Sequence, residues 1–170
     1  MMDVDVVIED ARWQEHGLEL LCRKAVATTM DHLGLAHADL CVMGCSDTRI
    51  KELNAEFRGK ARATNVLSWP SQDRAAVEAG GTPRPPTDPE LGDIAISYET
   101  CRAEAYSANV LFSDHVTHLI VHGLLHLLGY DHQNDADAEL MERIETETLG
   151  KLGISDPYSV ERQMAAPDID

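Results

Sequence analysis

The sequence has few basic residues for its length. Its 170 residues include 14 Lys and Arg against 30 Asp and Glu, which gives a formal net charge of −16 at pH 7. Because such a surface repels polyanions, this charge argues against a nonspecific nucleic-acid-binding protein. The shortage is uneven along the chain, since a basic window between positions 49 and 62 contains Arg49, Lys51, Arg58, Lys60 and Arg62. This window predicts no more than a local anion site.

Long hydrophobic runs are also missing. No segment approaches the roughly 18 uninterrupted apolar residues that a membrane-spanning helix needs, so no membrane association is expected. The first ten residues are acidic, whereas a signal peptide begins with a positively charged segment. The four cysteines show neither the CxxC spacing of a metal knuckle nor the secretory context that favours disulfides. We therefore expect a cytoplasmic protein with reduced thiols.

Short apolar runs alternate with amphipathic segments along the chain. Runs of β-branched and apolar residues predict strands at 4–8, 40–43, 66–69 and 94–97. Helical periodicity and capping residues predict helices at 17–33, 46–57 and 135–149. They also predict a helix of about ten residues that begins near Tyr98, and one that Ser113 or Asp114 caps and that runs to Leu128.

These elements predict an α+β fold. We expect a single layered domain over residues 1–158, with a roughly four-stranded mixed sheet and about five helices. Residues 71–90, rich in Pro, Gly and Ala, are predicted to form a surface loop insertion. Residues 159–170 show no pattern and are predicted to form a poorly ordered tail.

The segment HLIVHGLLHLLGYDH, residues 118–132, contains the strongest chemical signal. His122 and His126 are four residues apart on a predicted helix, so their imidazoles lie on the same face. Gly129 favours a helix end, and the reversal after it lets His132 approach as a third ligand. Three protein ligands with one position open to water are typical of catalytic zinc. We predict one divalent ion per chain at the end of this central apolar helix, zinc first, with nickel or another divalent metal as the alternative.

The residues around this motif limit the number of ligands and the kind of reaction that the sequence predicts. His115 and His118 are predicted not to be ligands, because four imidazoles would close the site. In the HExxH motif of zinc peptidases a Glu base follows the first His. Here Gly123 stands at that position, which argues against a peptidase.

Several spaced motifs add a family resemblance. HGLLHLLGYDH at 122–132 fits the pattern HGxLHLxGYDH. LNAEFR at 53–58 precedes TNVLSW at 64–69. Three further motifs are LGDI at 91–94, MERIETE at 141–147 and SDPY at 155–158. Together these motifs resemble the YbeY family of bacterial metal-dependent endoribonucleases. The departures are mild: Phe57 replaces the usual Tyr, Trp69 the usual Phe, and Ala63 the usual Pro.

The resemblance implies cleavage of single-stranded RNA in ribosomal RNA maturation, particularly at the 3′ end of the small-subunit RNA, and in ribosome quality control. It implies ribosomal RNA, the small ribosomal subunit and its associated proteins as partners. By the same resemblance His122, His126 and His132 match the metal ligands, and Arg58 and His122 are the catalytic candidates. A guanidinium at position 58 suits a scissile phosphate, which it can hold in a bidentate fork.

Other roles stay open at this point. Asp131 is either a general base or a group that orients a ligand imidazole. The candidate substrate contacts are Arg58, Lys60, Arg62, Asn65 and Ser68. One alternative function is a ribosome-assembly factor that binds RNA or protein and has a mainly structural metal, which the net charge and the missing base favour. Another is hydrolysis of a small substrate or peptide.

Overall fold

A four-stranded sheet covered by helices organises residues 2–159, the part of the chain that this computed structural model describes. Its elements, in chain order, are β1 (Met2–Ile8), α1 (Arg12–Glu15), α2 (Leu18–His32), β2 (Ala38–Cys45), α3 (Asp47–Arg58), β3 (Val66–Pro70), β4 (Glu90–Ser97), α4 (Tyr98–Ala108), α5 (Phe112–Leu127) and α6 (Asp135–Lys151). The α+β prediction and its five longer helices are confirmed. The four-residue helix α1 was not predicted.

The sheet is mixed, as predicted. Its strand order is β1-β2-β4-β3. Strands β1, β2 and β4 run parallel, and β3 pairs antiparallel to β4 with Leu67 opposite Ala95. The antiparallel edge strand β3 packs against α5, the helix that carries the histidines.

Alternating side chains on β4 serve two cores. Ile94 and Ile96 belong to the main core, which the sheet shares with α2, α4, α5 and α6. Ala95, between them, packs in a smaller cluster with Ile50 and Leu53 of α3. This period of two is what a strand with both faces covered requires, and it places α3 on the opposite face from α5.

Helix α5 lies in the interior, with buried residues all round its circumference. The sequence predicted that Ser113 or Asp114 caps it, and that prediction is wrong. The helix begins at Phe112, because the carbonyl of Leu111 already accepts the hydrogen bond from the backbone N–H of His115 at 3.0 Å. Within residues 2–159, no helix is both long and apolar enough to cross a membrane.

The segment between β3 and β4 has no helix or strand over 71–89, and two of its residues, Arg74 and Pro83, are buried. The guanidinium of Arg74 donates to the carbonyl of Leu127, at the end of α5, at 2.9 Å. It also donates to the carbonyl of Glu90 at 3.2 Å. The insertion is therefore attached to the end of α5. Apart from Ser159, the predicted poorly ordered tail, residues 159–170, lies outside the described residues.

Candidate metal centre

Three imidazoles meet where α5 ends. His122 and His126 come from its last turns and His132 from the reversal that follows, and their ligand nitrogens all lie within 4.8 Å of one another. The Nε2 atoms of His122 and His126 are 3.0 Å apart. Two ligands in a tetrahedral site with metal–nitrogen distances of about 2.0–2.1 Å have nitrogens roughly 3.3 Å apart. The described residues contain no other cluster of this kind.

Glycine makes the reversal possible. Gly129 has φ +104°, outside the range that L residues readily adopt. A Cβ at this position would also lie 2.6 Å from the carbonyl oxygen of Arg74. The backbone N–H of Tyr130 then bonds the carbonyl of Leu125 at 3.0 Å, which closes the helix end as the sequence predicted.

Hydrogen bonds to the other ring nitrogens fix the tautomers of the two helical histidines. His126 Nδ1 donates to the carbonyl of Tyr130 at 3.0 Å, and His122 Nδ1 lies 2.6 Å from the Glu145 carboxylate. Because a carbonyl only accepts, His126 carries its hydrogen on Nδ1 and presents a lone pair on Nε2. The same reasoning applies to His122 against a carboxylate. Two lone pairs that face each other at this distance fit a shared cation.

The titration behaviour agrees with that assignment. Burial, together with the neighbouring His122 and His132, lowers the pKa of His126 to about 4, so the ring is neutral near pH 7. Glu145 is fully buried, and although burial raises its pKa, hydrogen bonds with His118 and His122 hold the pKa below its usual value. Carbonyl and carboxylate oxygens are the usual hydrogen-bond partners of the second ring nitrogen in metal-ligating histidines.

A cleft of about 390 Å³ opens beside the triad. Its lining includes Arg58, Ser68, Arg74, His126, Asp131 and His132. The guanidinium of Arg58 lies 3.5 Å from the carbonyl of Ser68, so the end of α3 and strand β3 form one wall. Two predicted substrate contacts, Arg58 and Ser68, thus share a cleft with two predicted ligands.

The other predicted substrate contacts do not line this cleft in the described part of the chain. Lys60 and Arg62 are exposed on the segment after α3. Asn65 is buried, and its amide nitrogen donates to Glu104 at 3.1 Å while its oxygen accepts from the N–H of Val66 at 2.7 Å. Both ends of the Asn65 side chain therefore serve the fold.

The structure separates the remaining polar candidates. Asp131 lines the cleft, and its carboxylate accepts from the N–H of His132 at 2.8 Å, whereas the carboxylate bonded to a ring of the triad is that of Glu145. His115 contacts Glu104 at 2.9 Å and lies outside the triad, as does His118, which contacts Tyr158 at 3.3 Å. The ligand and base assignments themselves remain predictions.

Two further polar residues near the site, Glu145 and Arg74, were not predicted from the sequence. Glu145 is a carboxylate on the buried face of α6, among Met141, Ile144 and Leu149, and a charged residue at a core-facing position is a signal that the sequence does carry. Arg74 lies in a segment without periodicity, so no pattern indicated that it would be buried.

The fold and the site define a class: an α+β protein with a histidine triad that can hold a metal ion at the rim of a cleft. Residues 4–153 match the family described as Endoribonuclease YbeY, and the chain belongs to this family.

Similar proteins agree with this membership. A protein of Ruegeria sp. (strain TM1040), named Endoribonuclease YbeY, is 55% identical over 167 residues, which cover 94% of this chain and 98% of the relative. A protein of the same name from Paracoccus denitrificans is 54% identical over 155 residues, covering 91% and 89%. The solution structure of TM1509 from Thermotoga maritima matches with a TM-score of 0.55 and 24% identity, over 94% of this chain and 99% of the other, and supports the fold.

Proposed function

We propose that this protein is a metal-dependent endoribonuclease that cleaves single-stranded RNA in the cytoplasm, in maturation of the small-subunit ribosomal RNA 3′ end and in ribosome quality control. The observation that carries the proposal is the shared cleft, where Arg58 and the imidazoles of His126 and His132 line one cavity. The names of the relatives support an RNA substrate. Ribosomal RNA, the small subunit and its associated proteins are the proposed partners.

Zinc is the proposed ion, because three neutral imidazoles suit zinc, with nickel and copper as competitors. When bound, such an ion supplies Lewis-acid polarisation of a phosphoryl oxygen and acidifies water toward neutral pH. Elemental analysis of protein purified without an affinity tag decides the identity of the ion.

The residues of the chain bind and orient the substrate in this proposal. Arg58 stands at the end of α3 with its guanidinium at the cleft. It would hold the scissile phosphate in a bidentate fork and offset the charge that develops on its oxygens. The carbonyl of Ser68 lies 3.5 Å from that guanidinium and limits its position. Asp131, at the same cleft, is the candidate to accept a proton.

The proposal predicts that cleavage requires both the triad and Arg58. We expect His126→Ala and chelation to abolish cleavage of a labelled single-stranded RNA, and added zinc to restore only the chelated wild type. Arg58→Ala should reduce the rate by about 10²–10³-fold, the usual loss when one charge-stabilising donor is removed.

Two exposed residues provide matched controls. His37→Ala, between α2 and β2, and Arg23→Ala, on the surface of α2, should leave the rate unchanged. Cleavage that survives both His126→Ala and chelation would come from a contaminating nuclease and would exclude the enzyme proposal. RNA binding without cleavage would favour the assembly-factor alternative. Turnover of a small substrate or peptide that does not depend on Arg58 would favour the third hypothesis.

A further inference from the structure

A second layer of polar residues lies behind His122. Glu145 on α6 is fully buried, and both of its carboxylate oxygens are engaged. Oε1 accepts from His122 Nδ1 at 2.6 Å, and Oε2 accepts from the hydroxyl of Tyr158 at 2.5 Å. His118 completes the group, with its Nε2 3.5 Å from Glu145 Oε1 and 3.3 Å from the Tyr158 oxygen.

The network continues into the segment that follows α6. Asp156 Oδ1 accepts from the backbone N–H of Tyr158 at 2.8 Å, in the manner of an Asx turn. The same oxygen accepts from the hydroxyl of Thr146, on α6, at 3.1 Å. The turn is thereby tied to the helix that carries Glu145, and it directs Tyr158 at the carboxylate.

Stability alone does not account for this carboxylate. Its neighbours on the buried face of α6 include Met141, Ile144 and Leu149, and replacing a buried ionic group by a well-packed apolar residue is often neutral or stabilising. A buried carboxylate costs free energy unless hydrogen bonds offset its desolvation. Glu145 has those bonds, and one of them reaches a ring of the triad.

We propose that Glu145 and Tyr158 are positioning residues of the metal centre. Glu145 holds the hydrogen of His122 on Nδ1 and makes Nε2 a stronger donor to a metal, and Tyr158 holds Glu145 in the orientation that does so. Tyr158 therefore affects the metal centre only through Glu145, and Glu145 affects it through His122. The proposal rests on the proposed function only in requiring that the triad binds a divalent ion.

A consequence follows for residues 155–158. Coupling between two sites is reciprocal in free energy, so an ion at the triad strengthens the hydrogen bond from Tyr158 as much as that bond strengthens metal binding. Metal binding thus stabilises the turn around Asp156, although no residue of the turn is a proposed ligand.

The test measures zinc affinity by competition with a chelating indicator. Glu145→Gln should weaken zinc binding by about 10–100-fold, the range typical of groups that orient metal ligands. Tyr158→Phe should weaken it less, by about 10-fold. The double variant should lose no more than Glu145→Gln alone, because Tyr158 acts through Glu145.

Exposed counterparts serve as controls. Glu139 is exposed on α6, the helix that carries Glu145, and Tyr106 is exposed on α4. Glu139→Gln and Tyr106→Phe should therefore bind zinc as the wild type does. Thermal unfolding of the metal-free proteins provides the readout that separates positioning from folding. Tyr158→Phe removes a hydrogen bond to a buried carboxylate, so its metal-free midpoint should fall. Positioning predicts reduced zinc affinity at a temperature where the metal-free variant is still fully folded. Hydrogen exchange over residues 155–158 should slow when zinc is added to the wild type and less so in Glu145→Gln.

Three results would overturn the proposal. The first is that folded Tyr158→Phe and Glu145→Gln bind zinc as tightly as the wild type does. The second is that the wild type binds no zinc. The third is that the losses of zinc affinity in the double variant are additive. If Glu145→Gln does not fold, Tyr158→Phe, which deletes one hydroxyl, decides alone. These measurements use zinc alone and do not depend on RNA cleavage. If the variants bind zinc as expected but the wild type leaves RNA intact, the positioning proposal is supported and the nuclease proposal is refuted.

Discussion

Gly123, the residue that follows His122, faces the sheet. A Cβ at Gly123 would lie 3.1 Å from Cδ1 of Ile94 on β4, which is closer than most such contacts. The sequence argument against a peptidase rested on the absence of a Glu at this position. The structure adds that a side chain at position 123 would be directed at the sheet and would require the Ile94 side chain to shift.

We expect Gly123→Glu to destabilise the protein and to create no peptidase activity. Burying an unpaired charge costs about 3–5 kcal/mol, and overpacking against Ile94 adds to that cost. Gly150→Glu is the matched control, since Gly150 is exposed on α6 and a Cβ there meets nothing within 4 Å. Chemical denaturation measures both variants, and equal free energies of unfolding would contradict this account.

The site residues differ in how far the sequence alone predicts their positions. The three histidines could be predicted to converge because two share a helix turn and the third follows a glycine, so local geometry decides. Glu145 could not be paired with His122 in this way, because its position depends on how α6 packs on α5. Asn65 was a candidate substrate contact, but its amide is directed into the fold toward Glu104.

Among the elements, the end of α5 combines two constraints. Gly129 needs a positive φ to reverse the chain, and the backbone of Arg74 occupies the space where a side chain would be. The long helices and the strands were predictable because their periodicity extends over many residues. Helix α1 spans only Arg12–Glu15, too few residues for a periodic signal.

Gly129→Ala should therefore destabilise the protein more than Gly153→Ala. Gly153 follows α6 with φ +75°, and a Cβ there meets nothing within 4 Å, so its substitution carries backbone strain alone. That strain is about 1–2 kcal/mol. Gly129→Ala adds a contact with the Arg74 carbonyl, and we expect a larger loss of stability together with weaker zinc binding. Thermal unfolding and zinc titration measure both effects, and identical losses in the two variants would contradict the role assigned to Arg74.

For the whole molecule, the net charge of −16 makes the position of each cation important for a polyanionic substrate. Arg49, in the basic window, is paired with Glu9 and Glu52 at 3.4 and 3.2 Å, so its charge is largely offset. Of the five basic residues in the window, Arg58 is the one that lines the described cleft, so we expect RNA to contact the window mainly there. The charge pattern predicted a local anion site without indicating a residue, and the fold shows which member of the window lies at the cleft.

RNA binding should weaken with salt, with a modest slope. For single strands the slope of log K against log salt is about −0.7 per phosphate contacted, so two or three contacts give about −1.4 to −2. Arg58→Ala should reduce the magnitude of the slope by about 0.7, whereas Arg23→Ala should not change it. Filter binding of a single-stranded RNA over a salt series measures this. A slope near zero in the wild type would remove Arg58 and its neighbours from the RNA interface.

The three imidazoles differ in burial: His122 is buried, His126 is partly buried and His132 is exposed. The first two rings are held by α5 and by hydrogen bonds to Glu145 and the Tyr130 carbonyl, while the third stands on the turn. An ion entering or leaving the centre would therefore pass His132, and its residence time would depend on how often that turn opens. Metal exchange in a cell would then follow the dynamics of a few surface residues, and substrate in the cleft would slow it.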